Sequence, residues 1–70
     1  MSAHIRIIVN GFKETVVSGV SIAAVIQDGN EQDRDLIVEH NGRFVYPAEY
    51  GERLLQDGDR LEFINPNFGG

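Results

Sequence analysis

Residues 5–17 read IRIIVNGFKETVV, and this stretch predicts a β-hairpin near the start of the chain. Its first half is rich in β-branched residues, which favour strands. The dipeptide Asn10-Gly11 is typical of two-residue hairpin turns, because both turn positions need a positive φ angle. Side chains alternate along a strand, so the odd-numbered residues of the first strand face the core, and Arg6 and Ile8 point outward.

A short helix is predicted after the hairpin. Ser18-Gly19 interrupts the second strand, and Ser21 has the residue type of a helix N-cap. The apolar residues that follow recur at helical spacing, with Ile22, Val25 and Ile26 as the buried stripe. The turn residues of segment 28–30 end the helix, and the polar, acidic segment 31–35 is predicted to be a solvated loop.

A second hairpin and a last strand complete the predicted fold. Residues 36–40 form the third strand, Asn41-Gly42 is the turn, and residues 44–46 form the return strand, which Pro47 ends because it lacks an N–H donor. Residues 48–56 are predicted to hold a short turn or 3₁₀ segment that buries Leu54 and Leu55.

The last predicted strand runs from Arg60 to Ile64, with Leu61 and Phe63 facing inward. It follows a turn at Asp57-Gly58-Asp59, whose aspartates we expect to accept hydrogen bonds from their own turn. The order is therefore ββαββ, a short turn segment and β. This order predicts an α+β fold, a mixed sheet with one helix across it, as one domain over residues 1–65, followed by a C-terminal tail over residues 66–70.

Composition limits the classes of protein that this chain can belong to. Seventy residues make one domain at most, and a hydrophobic content of 41%, including four Phe residues, is enough for a small core. The formal net charge of −5 disfavours nucleic acid and anionic membranes as partners. It favours a protein partner with a basic surface, although plain solubility explains many of these charges equally well.

The sequence also disfavours disulfides, metal sites, membrane spans and secretion. The chain has no cysteine, so neither disulfides nor a cysteine-based zinc site are available. His4 and His40 are far apart in sequence and lack a third metal ligand at a recognisable spacing. No apolar run approaches the ~20 residues of a membrane span, and the first residues do not resemble a signal peptide. We therefore expect a cytoplasmic protein that binds no metal.

Three segments resemble the ThiS family, the small sulfur carriers of thiamine biosynthesis. They are NGRFVYP at 41–47, LLQDGDRLEF at 54–63 and Gly69-Gly70. The resemblance covers residues 5–70. It implies the ubiquitin-like β-grasp fold, shared with the molybdopterin sulfur carrier MoaD, in which the first and last strands run side by side in parallel and a flexible C-terminal tail follows.

The resemblance also implies a carrier function for Gly70. An E1-like adenylyltransferase of the ThiF or MoeB type would adenylate the Gly70 carboxylate with ATP. Sulfur that originates from cysteine through a desulfurase would then displace the nucleotide and leave a thiocarboxylate. A synthase such as thiazole synthase of the ThiG type would accept the sulfur. The carrier itself would bind no cofactor and would not be an enzyme. We expect a monomer, because most apolar residues have a place in the predicted core.

The residues before Gly70 suit such a tail. Gly69 has no side chain and lets the end of the chain enter a narrow cleft. Phe68 places a large ring next to the diglycine, where we expect it to influence which synthase accepts the tail. Because the chain has no cysteine, carried sulfur is expected on the carboxyl group of Gly70 and not on a side chain.

A docking patch is predicted on the outward side of the sheet. Alternation turns Ile8, Ile64 and Phe68 outward near the tail, with Glu62 and Arg6 around them. An exposed apolar patch of this kind is typical of a protein interface. We expect the activating enzyme to bind there.

Other functions remain open on the sequence alone. The acceptor could belong to a cysteine, homocysteine, thioquinolobactin or molybdopterin route instead of thiamine. The diglycine could also join a lysine of a target protein, as ubiquitin does. A simple binding module, as in RNA-associated proteins, is a third hypothesis, which the acidic composition disfavours.

Overall fold

The computed structural model describes residues 3–29 and 35–65. Five strands, one α-helix and one 3₁₀ turn follow each other in the predicted order. Their bounds are β1 His4–Val9, β2 Phe12–Val17, α1 Ile22–Asp28, β3 Ile37–His40, β4 Arg43–Val45, the 3₁₀ turn Pro47–Glu49 and β5 Arg60–Ile64.

The strands form a single mixed sheet in the order β2-β1-β5-β3-β4. Strands β1 and β2 form one antiparallel hairpin, and β3 and β4 form the other. Strand β5 lies between the hairpins, parallel to β1 and antiparallel to β3. The parallel pairing of the first and last strands, implied by the family resemblance, is therefore confirmed.

Both hairpin turns have the backbone geometry that the Asn-Gly dipeptides predict. Asn10 and Gly11 have φ angles of 51° and 86°, and Asn41 and Gly42 have 54° and 84°. Positive φ at both central residues is the mark of the type I′ turn, whose twist matches that of the flanking strands. Each turn then fixes the register of its hairpin.

The helix is short and begins as predicted at its N-cap. The Ser21 hydroxyl accepts a hydrogen bond from Ala24 N at 3.1 Å, which satisfies one of the free N–H groups of the first turn. Ile22 is fully buried, whereas Val25 and Ile26 pack against the core while staying partly exposed. The predicted stripe therefore faces the core, but only Ile22 of its three residues is fully buried.

The core lies between the helix and one face of the sheet, and it is aliphatic. Its buried side chains are Ile7, Ile22, Leu36, Val38, Val45, Leu55 and Leu61. Of the Phe residues counted in the hydrophobic content, Phe12 is 73% exposed and Phe44 is 49% exposed, whereas Phe63, predicted to face inward, packs at the edge of the core. Phe44 faces away from the helix, and the helix leaves Phe12 uncovered at the end of the hairpin.

Two predictions for the second half of the chain need correction. Leu55 is buried as expected, but Leu54 is 57% exposed. Residue 54 forms an extended bridge with Ser21, and in extended backbone two neighbouring side chains cannot face the same side. Asp59 accepts a hydrogen bond from Gln56 N of its own turn, whereas Asp57 accepts one from Arg6 N of β1.

Some predictions concern residues outside the described ranges 3–29 and 35–65. The tail residues Phe68, Gly69 and Gly70 lie outside the described residues, as does most of the predicted acidic loop, residues 31–34. Asp35, at the end of that loop, is exposed.

Candidate functional site

The candidate site is the face of the sheet opposite the helix, which we call the outer face. Core side chains alternate with outer-face side chains along each strand. On β5, Leu61 is buried under the helix, and its neighbours Arg60 and Glu62 are exposed on the outer face. Among the described residues, no helix or strand covers this face.

Four apolar or aromatic side chains gather on the outer face at the end of β5, and we call them the apolar patch. The patch consists of Ile37, Phe44, Tyr46 and Ile64. Ile64 lies directly opposite Ile37 in the β3–β5 register. The Phe44 and Tyr46 rings meet edge to face, with centroids 4.8 Å apart at 87°. Tyr46 is 64% exposed and Ile64 is 40% exposed, so a partner can reach them directly.

The structure divides the predicted docking residues into two groups. Ile8 lies opposite Arg60 at the start of β5, whereas Ile64 is four residues further along the same strand. At ~3.3 Å per residue this separates the two positions by about 13 Å. Glu62 lies next to Ile64, and Arg6 lies next to Ile8. Ile8 therefore lies apart from Ile64 on the same face, and the docking role predicted for these residues stays a prediction.

Three residues of the apolar patch were missed in the sequence. Ile37, Phe44 and Tyr46 are brought to Ile64 by the pairing of β4, β3 and β5. The second hairpin did indicate where Phe44 lies, because side chains alternate along a strand. With Val45 buried on the core face, its neighbour Phe44 has to lie on the outer face. Nothing local in the sequence gave the register that sets Ile37 beside Ile64.

Strand β5, which leads into residues 66–70, is held on both sides by side chains of the two hairpin turns. Asn10 Oδ1 accepts from Phe63 N at 2.8 Å, and Asn41 Oδ1 accepts from Arg60 N at 2.9 Å. Each asparagine therefore serves both as a turn residue and as an extra acceptor for β5. These bonds fix the strand on which Glu62 and Ile64 stand.

The turn before β5 is built around Asp59. Its carboxylate accepts from His40 Nε2 at 2.8 Å, Gln56 N at 2.8 Å and Asn41 Nδ2 at 3.1 Å. Partial burial alone would raise the pKa of Asp59, but the three hydrogen bonds outweigh it and hold that pKa below its ordinary value. His40 is thus a structural partner of Asp59 that ties β3 to the turn.

Two kinds of feature are absent from the described residues. Over residues 3–29 and 35–65, no three His, Cys, Asp or Glu side chains come together as a metal site would need. In the same ranges, no helix has the length and apolar character to cross a membrane.

Comparison with known proteins gives a family and a solved relative. The model of the ThiS family matches residues 2–70. No curated protein matches significantly. The crystal structure of the thiamine biosynthesis protein ThiS from Geobacter metallireducens superposes with a TM-score of 0.82 at 25% identity, covering 94% of this chain and 100% of that chain. The superposition confirms the ubiquitin-like β-grasp fold.

Proposed function

The chain belongs to the ThiS family of sulfur carriers, and from this membership we propose that Gly70 carries the sulfur as a C-terminal thiocarboxylate. The observation that carries the proposal is the family match, which extends over the domain and on through residue 70. The solved relative, described as a thiamine biosynthesis protein, favours thiazole formation as the destination of the sulfur.

The proposed chemistry takes place in two steps at the Gly70 carboxyl group. The carboxylate attacks the α-phosphorus of ATP on the activating enzyme, which releases pyrophosphate and leaves an acyl adenylate. A sulfur nucleophile, bisulfide in the simplest case, then attacks the carbonyl carbon and expels AMP. The mixed anhydride is needed because a free carboxylate is a poor acyl electrophile. The chain acts as co-substrate, and no side chain of it takes part in either step.

The partners follow from this chemistry. We propose an E1-like enzyme of the ThiF type for adenylation, with sulfur derived from cysteine through a desulfurase, and a thiazole synthase of the ThiG type as the acceptor enzyme. ATP is used by the activating enzyme and is not a cofactor of this chain. The proposed compartment is the cytoplasm, where ATP and the desulfurase system are available.

The apolar patch is the proposed docking surface for the activating enzyme. It lies at the end of β5, so an enzyme that holds the tail in its cleft faces this end of the sheet. Ile64 belongs to that patch, and Glu62 borders it on β5. A docking role for Ile8, about 13 Å from Ile64 along the strand direction, and for Arg6, about 20 Å away, stays a prediction.

Mass spectrometry of the whole chain tests the proposed chemistry. After incubation with ATP, bisulfide and the ThiF-type enzyme of the source genome, we expect one oxygen to be exchanged for one sulfur. A chain lacking Gly69-Gly70 should show no exchange and the same unfolding midpoint, since a terminal tail contributes little packing. A covalent adduct with a second protein, without sulfur exchange, would favour a ubiquitin-like modifier instead.

Substitution of Ile64 tests the docking surface. Ile64→Asp places a charge in the middle of the apolar patch and should abolish binding to the activating enzyme while the domain stays folded. Val17→Asp is the matched control, because Val17 is also an exposed strand residue, at 61%, but belongs to edge strand β2. Equal binding by both variants would contradict the proposed surface.

A further inference from the structure

Two glutamates stand side by side on the outer face. Glu39 of β3 lies directly opposite Glu62 of β5 in the antiparallel register. Like charges in directly opposed positions of a sheet repel and destabilise it. Within residues 3–29 and 35–65, neither carboxylate takes part in an ion pair or hydrogen bond that would relieve the repulsion.

The glutamate pair is bordered by the apolar patch. Phe44 lies opposite Glu39 on the β4 side, and the next outward pair along the sheet is Ile37 and Ile64. A protein that covers these apolar side chains also excludes water from the two carboxylates. Removing water strengthens any charge–charge interaction made there, because the effective dielectric constant falls.

Among the described residues, no cationic side chain forms an ion pair with either glutamate. Arg60 precedes Glu62 by two positions on the same face, but it makes no ion pair with either glutamate. Arg43 pairs with His40, whose neighbour Val38 is a core residue, and so belongs to the helix side of the sheet. Two carboxylates without a third are also a poor metal site.

We propose that Glu39 and Glu62 together bind one arginine or lysine of the activating enzyme, with apolar side chains of that enzyme over Ile64 and Phe44. This rests on the proposed function, which makes the activating enzyme the protein that grips the tail beyond β5. A single cation between the glutamates relieves their repulsion. The complex is therefore stabilised by the new charge pairs and also by removal of the unfavourable contact between the two carboxylates. The apolar patch supplies contact area, and the glutamate pair supplies selectivity for a cationic partner.

The proposal makes stability and binding change in opposite directions. Replacing either glutamate by glutamine keeps the size of the side chain and removes the repulsion. Glu39→Gln and Glu62→Gln should therefore raise the urea midpoint of the chain. The same variants should weaken binding to the activating enzyme about tenfold, the usual scale for losing one close charge pair at an interface.

The experiment measures both quantities on the full chain. Urea unfolding gives the midpoints, and titration calorimetry with the purified ThiF-type enzyme of the source genome gives the affinities at low and high salt. Glu52→Gln is the matched control, since Glu52 is exposed in the loop after the 3₁₀ turn and loses the same charge. We expect the wild type and Glu52→Gln to bind with the same salt dependence. The double variant Glu39→Gln/Glu62→Gln should lose most of that dependence.

Two results would overturn the proposal while leaving the proposed function intact. One is sulfur exchange on the wild type together with equal affinities for all glutamate variants. The other is a lowered urea midpoint in Glu39→Gln and Glu62→Gln, which would show that the pair is not repulsive. Failure of the wild type to bind the enzyme or exchange sulfur would instead remove the proposed function and this proposal with it.

Discussion

Replacing Asp59 by alanine should strongly destabilise the domain. The Asp59 carboxylate accepts three hydrogen bonds, from the His40 ring, the Gln56 backbone and the Asn41 amide. The side chains of His40 and Asp59 are only 11% and 13% exposed. Loss of the carboxylate leaves the His40 Nε2–H without its acceptor in a place that water reaches poorly, which is more costly than losing an exposed bond.

The size of the effect follows from the three bonds. The largely buried bond to His40 should contribute about 2 kcal/mol, as expected for a hydrogen bond to a charged group. The Gln56 and Asn41 groups are exposed enough to turn to water, so together they add about 1 kcal/mol. The total of about 3 kcal/mol is a large share of the ~3–5 kcal/mol typical of a core this small.

Urea unfolding followed by far-ultraviolet circular dichroism measures this loss. With a slope of about 1 kcal/mol per molar urea for so small a domain, the midpoint should fall by about 3 M. Asp57→Ala is the matched control, because it removes the same charge from the same turn but only one exposed hydrogen bond, to Arg6 N. Asp57→Ala should cost about 1 kcal/mol or less. Similar midpoints for the two variants would refute the reasoning.

Three further predictions concern the same fold. Because the pKa of Asp59 is lower in the folded chain, its ionised carboxylate stabilises the fold above the unfolded-state pKa of about 3.9. This stabilisation is lost as the pH falls through the pKa of Asp59 in the folded chain, so Asp59→Asn should flatten the acid side of a stability–pH profile. Asn10→Ala should cost about 2 kcal/mol in urea unfolding, by straining a positive φ and removing the acceptor of Phe63 N, whereas Asn10→Gly should cost only about 1 kcal/mol. Leu55→Ala should cost about 3 kcal/mol, and the exposed Leu54→Ala no more than about 0.5 kcal/mol; equal costs would contradict the assigned burial.

The elements that the sequence predicted well depend on local chemistry. The Asn-Gly dipeptides need positive φ, Ser21 caps the first turn of the helix, and Pro47 cannot continue a strand. Each of these requirements is met within a few residues of chain, so it can be identified without knowledge of the rest of the fold. For the same reason the element order was predicted correctly.

The contacts that the sequence did not predict depend on strand register. Alternation placed Ile8 and Ile64 on the same face correctly, but it could not show that Ile8 pairs with Arg60. It could not show either that Asn10 and Asn41 would give their side-chain oxygens to β5, since the partners are 53 and 19 residues away. Phe12 is a third case, because its exposure depends on how far a seven-residue helix reaches across the sheet.

Side chains of strand β5 alternate between the core, where they contribute to stability, and the outer face, where they are available for binding. Leu61 is buried in the core, so Leu61→Ala should lower stability and, through unfolding, every activity of the chain. Glu62 and Ile64 point to the opposite face, where they contribute little to the core and remain available to a partner. A substitution there should change binding while the sheet stays intact. The same strand therefore leads from the core to residues 66–70 and presents the proposed docking surface, so a partner bound there would lie next to the proposed carrier group at Gly70.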